Sequence, residues 1–355
     1  MYAVLVCVFA LLASWRTHLV AAQRSNSPTL CDANDSYNST RVPYEFNNNA
    51  WGDDGSGQSC LQVEDGGESW SVTYTWTGDP ELVKGFPRMK AHPSNLPVPF
   101  WNVSNVDFRA EWDTYVKSTE NDSAEEQAAK FDDIYLRSNA ALDVFLSDNA
   151  TNSTLVGPPI EIMIWYWYTP TIKPLGFYDA TPDTPRVEVD GMNFTLYDGF
   201  NAQGQHVFSW LAERNLTRAD ADYSPLFRYI WQNGLLSGAL WLGQLEFGFE
   251  IMHAGEETVS EVKSNYTLRI NRDGDPDAST SSAQPTSTSS SFLSTSTTAE
   301  TIPTSTTAGT AASTTSTDAA STLIPTVDTG FLLPFGTWST ILALTTLLCT
   351  SSSLL

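Results

Sequence analysis

Between Trp70 and Ile270, apolar and polar residues alternate every second position in short runs broken by turn residues. A period of two sends successive side chains to opposite faces of a β-strand, so the pattern predicts an all-β domain built from two packed sheets. Ser69 to Trp76 is one such run, with Trp70, Val72, Tyr74 and Trp76 on a shared face. Arg186 to Val189 and Met192 to Tyr197 flank Asp190-Gly191, a dipeptide favoured in two-residue hairpin turns. One short helix is predicted near Ser224, with Ser224 as its cap and Pro225 in the first turn. Phe227, Ile230 and Trp231 form its apolar face, for the convex side of the sandwich, and Gly234 ends it. The charged segment from Lys117 to Asp133, rich in Ala and Glu, fits either a surface helix or a long loop.

The alternation stops at both ends of the chain. Residues 1–22 hold a short apolar stretch followed by small residues at Val20-Ala21-Ala22, the form of a cleaved secretory signal peptide, although the positive n-region is weak. About thirteen apolar residues are too few for a membrane-spanning helix, the rival reading. The folded domain is expected over 23–272. From 273 to 330, Ser, Thr, Ala and Pro displace nearly all large apolar residues, so that stretch cannot bury enough surface to offset its ordering entropy. It reads as a disordered, O-glycosylated stalk. Residues 331–355 are apolar and end without a Lys or Arg, unlike a stop-transfer helix. Small residues at Ala319-Ala320-Ser321 lie upstream of them, a pattern that fits replacement of the tail by a glycosylphosphatidylinositol anchor. A plain tail anchor and an unused tail are the rival readings.

Charge and cysteine usage narrow the setting further. The chain carries 41 acidic against 18 basic residues, a formal charge of -23, which repels nucleic acid and anionic lipid and leaves a neutral polymer as the compatible partner. Membrane contact is expected only through the lipid anchor, and the protein is expected to be a monomer. Cys7 leaves with the signal and Cys349 with the tail, so Cys31 and Cys60 are expected to pair in an oxidising compartment. Such a loop closure contributes roughly 3 kcal/mol. Acceptor sites for N-glycosylation occur at Asn34, Asn38, Asn102, Asn121, Asn149, Asn152, Asn193, Asn215 and Asn265, a density that favours an extracellular surface. His18, His92, His206 and His253 are too scattered for a metal site, and no glycine loop for phosphate is found, so neither metal nor cofactor is implied.

Two glutamates carry the candidate chemistry. In Glu161-Ile162-Met163-Ile164-Trp165, alternation puts Glu161, Met163, Trp165 and Trp167 on one face, a carboxylate beside an apolar and aromatic floor for a sugar ring. In Phe247-Gly248-Phe249-Glu250, Glu246, Gly248, Glu250 and Met252 share a face, and Gly248 leaves room beside Glu250. Opposed carboxylates across a groove are what glycosidic cleavage needs. Asp143, in Ala141-Leu142-Asp143-Val144-Phe145, is a third acid that could share a proton with Glu161. Solvent-facing glutamates on edge strands are the bland alternative, and Glu246 competes with Glu250. Trp101, Trp112, Trp210 and Trp241 belong either to the groove or to the core.

The stretch from Cys31 to Ile270 resembles the family-12 glycoside hydrolases. The resemblance rests on Asn49-Ala50-Trp51-Gly52, Ser69 to Trp76, Ala141 to Phe145, Glu161 to Trp165, Pro174-Leu175-Gly176 and Phe247 to Glu250, in that order. It implies a secreted two-sheet β-jelly-roll with a concave cleft that acts on β-1,4-glucans, including xyloglucan. It further implies Glu161 as nucleophile, Glu250 as acid/base, Asp143 as support for the nucleophile, Trp51 as a stacking residue, Met163 and Trp165 beside the reactive centre, and a Cys31–Cys60 disulfide. Retaining hydrolysis then requires carboxyl oxygens about 5 to 5.5 Å apart and a proton held more tightly by Glu250 than by Glu161. Phe249 and Ile251 depart from the small residue and proline common in the family, and the 117–133 segment resembles an insertion at one rim.

Overall fold

A computed structural model describes residues 27–275. The expected signal peptide, the expected stalk beyond residue 275 and the expected C-terminal anchor signal lie outside these residues. Sixteen strands are present: β1 (Thr29–Leu30), β2 (Ser36–Asn38), β3 (Tyr44–Asn47), β4 (Gly57–Glu64), β5 (Ser69–Trp76), β6 (Arg88–Ala91), β7 (Val98–Pro99) and β8 (Val103–Val116) in the first half. The second half adds β9 (Arg137–Ser147), β10 (Ile160–Tyr168), β11 (Arg186–Val189), β12 (Met192–Phe200), β13 (His206–Ala212), β14 (Arg218–Asp222), β15 (Trp241–Val262) and β16 (Thr267–Arg272).

The strands form two layers that share β15. Its first half lies in the cleft-bearing sheet, ordered β2-β3-β6-β15-β9-β10-β13-β12-β11, with β10 and β13 parallel and the other neighbours antiparallel. Its second half pairs with β5 and β8 in the other sheet. Register shifts between Ile251 and His253, and again between Ala254 and Thr258, let one 22-residue strand turn the corner between layers. The inner faces supply the core, including Trp70, Val72, Tyr74 and Trp76 from β5, Phe108 and Trp112 from β8, and Phe247 and Phe249 from β15. Trp112 and Trp210 are therefore core residues, while Trp101 and Trp241 are half-buried.

The Asp190-Gly191 hairpin is present, with Val189 opposite Met192 and both turn residues at positive φ (50° and 72°). The predicted helix is α2 (Ser224–Gln232), although Tyr223 occupies the cap position and Ser224 is the first helical residue. Asp222 does the capping work, accepting from both the backbone N–H and the hydroxyl of Ser224. α2 buries Leu226, Phe227 and Ile230, and sets Tyr229 edge-on to Trp210 of β13, on the side of the sheet away from the cleft. A second helix, α1 (Ala124–Asp133), occupies the 117–133 segment, so the described residues hold two α-helices rather than one. A reciprocal Ser123–Glu126 capping box starts α1, and Phe131 packs edge-on against Trp167. Cys31 and Cys60 form the expected disulfide. Of the nine glycosylation acceptors, all but Asn102 are exposed.

Candidate active site

Three adjacent strands carry the acidic residues. β9 lies between β15 and β10, and Asp143 stands opposite Glu246 on one side and Met163 on the other. Glu161 pairs with Phe145, and Glu250 with Asn139. Because Ile162, Ile164, Leu142, Val144, Phe247 and Phe249 all point into the core, the alternating residues Asp143, Glu161, Glu246 and Glu250 all face the cleft.

Burial and mutual repulsion make this face hold protons. Burial pushes Glu161 up to about 8, helped by the charges of Glu250 and Glu246 and opposed by a hydrogen bond with Asp143. Asp143, 3% exposed, is pushed well above the usual carboxylate range by burial and by Glu161, Glu250 and Glu246, with Arg88 opposing. A neutral Asp143 can donate a hydrogen bond to an ionised Glu161. Glu250 is also raised by burial, but Asn139 Nδ2 donates to its Oε2 at 2.6 Å and favours the carboxylate.

Glu161 faces two anionic neighbours, whereas Asn139 stabilises the charge on Glu250. The pair is better treated as one unit that shares a proton.

Glu246 has a different occupation. It is 2% exposed, with Arg88 Nε 2.7 Å from its Oε2 and Lys90 Nζ 3.7 Å from its Oε1. That ion pairing separates it from the acid/base role for which it competed with Glu250.

Three further expectations change. A bulge in β10 between Trp165 and Trp167 slips the alternation by one residue, so Trp167 joins the main core and Tyr168 takes the cleft side. Met163 and Trp165 do face the cleft, but Trp165 is only 3% exposed, and they form a covered floor with Ala141, Ile172, Val207 and Leu211. Direct stacking of a sugar on Trp165 is thereby prevented in this conformation. The space beside Gly248 is also filled, since a Cβ there would meet the Pro87 carbonyl oxygen at 2.4 Å.

Trp51 is open to solvent, with 56% of its surface exposed. Its loop is held from below. Gly52 N–H donates to the Lys84 carbonyl, buried Lys84 Nζ lies 2.7 Å from Asp54 Oδ2, and Trp76 Nε1 donates to Asp53 Oδ1. The segment after β10 is fixed at Gly176, whose φ is 78° and whose missing Cβ leaves room for the Asp198 carbonyl.

Asn139, Arg88 and Arg137 were not singled out by sequence reasoning. Asn139 was within reach of it, because 139, 141 and 143 share a strand face. Arg88 gave no local signal, since its partner is 158 residues away, and apart from Tyr135 the partners of Arg137 are 34 to 57 residues away.

A concave β-sheet lined with proton-binding carboxylates beside an exposed tryptophan is the setting of a polysaccharide-cleaving β-sandwich. A sequence profile described as glycosyl hydrolase family 12 matches residues 42–271, and the chain belongs to that family. It is 25% identical over 215 residues to the xyloglucan-specific endo-beta-1,4-glucanase A of Aspergillus aculeatus, covering 59% of this chain and 79% of that one. It is also 27% identical over 239 residues to an inactive glycoside hydrolase of Phytophthora nicotianae, covering 64% of this chain and 87% of that one. Among solved structures, endoglucanase 3 of Trichoderma harzianum superimposes with a TM-score of 0.57 at 23% identity, over 71% of this chain and all of that one.

Proposed function

We propose that the protein is an endo-acting β-1,4-glucan hydrolase, with xyloglucan as its preferred substrate, working by retention through Glu161 and Glu250. The observation that carries this reading is the group of four cleft carboxylates in which Glu246 is ion-paired with Arg88 while Asp143, Glu161 and Glu250 keep raised proton affinities. In the state with one proton on the Glu161–Glu250 pair, substrate selects the form protonated at Glu250, whose proton meets the glycosidic oxygen. Ionised Glu161 attacks the anomeric carbon as Glu250 protonates the departing oxygen and the C–O bond breaks. Glu250, now a carboxylate, takes a proton from the water that attacks the glycosyl ester, which releases Glu161. Asp143 holds Glu161 in place, and Trp51 supports a sugar ring at the rim.

The setting we infer is extracellular, with a cleaved signal and a lipid-anchored, glycosylated stalk that displays a monomeric domain. Exposure of eight of the nine acceptor asparagines supports it. A second reading, glucan binding without cleavage, is favoured by the inactive relative from Phytophthora nicotianae. Release of reducing ends from xyloglucan, carboxymethyl cellulose and mixed-linkage glucan separates the two. Wild type is expected to release them, while Glu161→Ala and Glu250→Ala lose activity by about a thousandfold or more. Equal activity in all three proteins refutes the assignment of the two glutamates, and retention of glucan without any cleavage establishes the second reading.

A further inference from the structure

Beyond Glu250 the cleft face continues along β9 through Asn139 and Arg137 to Tyr135, which lies just before the strand. Asn139 bonds to Glu250, alternation along β9 keeps Arg137 on the same face as Asn139, and the Arg137 guanidinium reaches the Tyr135 hydroxyl just before the strand. Arg137 is nearly buried, yet it serves three separate segments. Its Nε donates to the Pro80 carbonyl at 2.8 Å, Nη1 to the Thr171 carbonyl at 3.0 Å and to the Tyr135 hydroxyl at 3.2 Å, and Nη2 to Glu81 at 2.9 Å. One guanidinium thus ties the turn before β6 to the segment after β10, with Tyr135 between them.

Tyr135 itself is held in an unusual state. Its φ is 52°, a left-handed conformation that a bulky residue rarely adopts and that persists only where surrounding contacts enforce it. His253 Nδ1 lies 2.9 Å from the Tyr135 carbonyl oxygen, and the two rings meet edge-on at 5.5 Å. The Arg137 guanidinium carbon is 5.6 Å from the ring centroid. Despite these supports the ring remains 42% exposed. A lone exposed aromatic is ordinary, but one at a positive φ, braced by a buried arginine and a histidine, is a preorganised surface.

We propose that Tyr135, positioned by Arg137 and His253, is a sugar-stacking subsite at the end of the cleft beyond Glu250, for a β-linked glucan chain. The inference rests on the reading of the cleft as a glucan site. Tyr135 lies four residues before Asn139, at most about 13 Å away at ~3.3 Å per residue, so an oligosaccharide reaches it by extending past Glu250.

Calorimetric titration of the full chain bearing Glu161→Gln, which blocks turnover, tests this with cellohexaose and cellotriose as probes. Adding Tyr135→Ala is expected to weaken cellohexaose binding about tenfold, equal to about 1.4 kcal/mol, and cellotriose binding by less than about twofold. Tyr135→Phe keeps the ring and should recover most of the affinity, whereas Arg137→Met should lose it through misplacement of the ring. An equal loss for both sugars, no loss for either, or no cellohexaose binding at all overturns the subsite. Wild-type hydrolysis of β-glucan, measured alongside, reports separately on the underlying reading. Length-dependent loss on Tyr135→Ala in a chain that binds but does not cleave supports the subsite while sinking the hydrolase.

Discussion

Replacing Glu161 by Gln removes one ionisable group from the acidic face without changing its size, and its consequence for stability has a definite sign. In the folded chain Glu161 titrates near 8 rather than at its ordinary 4.5. The folded state therefore binds this proton more tightly than the unfolded state. The resulting stabilisation is fully present below about pH 4.5 and is lost as pH rises through about 8. At ~1.4 kcal/mol per pH unit, and with solvent reaching part of the side chain, the loss amounts to about 3–5 kcal/mol. The substituted amide carries no charge at any pH, so the mutant should lack that part of the decline. Denaturant unfolding at pH 4.5, 6, 7 and 8.5 measures the difference. We expect similar stabilities at the acidic end and a mutant more stable than wild type by about 3–5 kcal/mol at pH 8.5. The same substitution should cut hydrolysis by about a thousandfold or more. Parallel stability profiles for the two proteins, or a mutant less stable at pH 8.5, would show that burial and the neighbouring charges do not raise Glu161 as described.

Two further changes probe the neighbours of that pair. Glu246→Gln removes a charge that raises both Asp143 and Glu161, so the alkaline limb of kcat/KM should move down from about 8 while the enzyme loses about 3 kcal/mol of stability from the unpaired Arg88; an unchanged pH profile would count against the coupling. Gly52→Ala sets a Cβ 2.1 Å from the Val83 carbonyl oxygen, so the loop must shift and carry Trp51 with it. Steady-state kinetics should show KM for polymeric glucan raised with kcat less affected, along with a stability cost of about 1–3 kcal/mol, and an unaltered KM would disconnect Trp51 from substrate.

The two-sheet class, the Asp190-Gly191 hairpin, the helix at Ser224 and the outward face of Asp143, Glu161 and Glu250 were legible in the linear chain. Each depends on local periodicity or on a turn residue, and those act within a few positions. The Cys31–Cys60 bond was legible too, once the ends were set aside. Even there, tertiary contacts revised detail: Asp222 rather than Ser224 caps the helix, and one bulge moved Trp167 from the cleft to the core.

What only the folded molecule decided are properties that belong to groups of distant residues. Alternation marks Glu161, Glu246 and Glu250 alike, but Arg88, on a strand far away in sequence, pairs with Glu246, while Asn139 bonds to Glu250. Proton affinity followed the same rule, since Glu161 is raised by burial and by charges from another strand that no local pattern encodes. Burial likewise depends on what packs above a face, so Trp51 stayed open while Trp165, on the cleft face of its strand, was covered. The linear chain determines which side of a strand a residue occupies through covalent geometry that repeats every two residues. The partner it finds there is set by sheet register and loop closure, which act between segments up to 158 residues apart, as for Arg88 and Glu246.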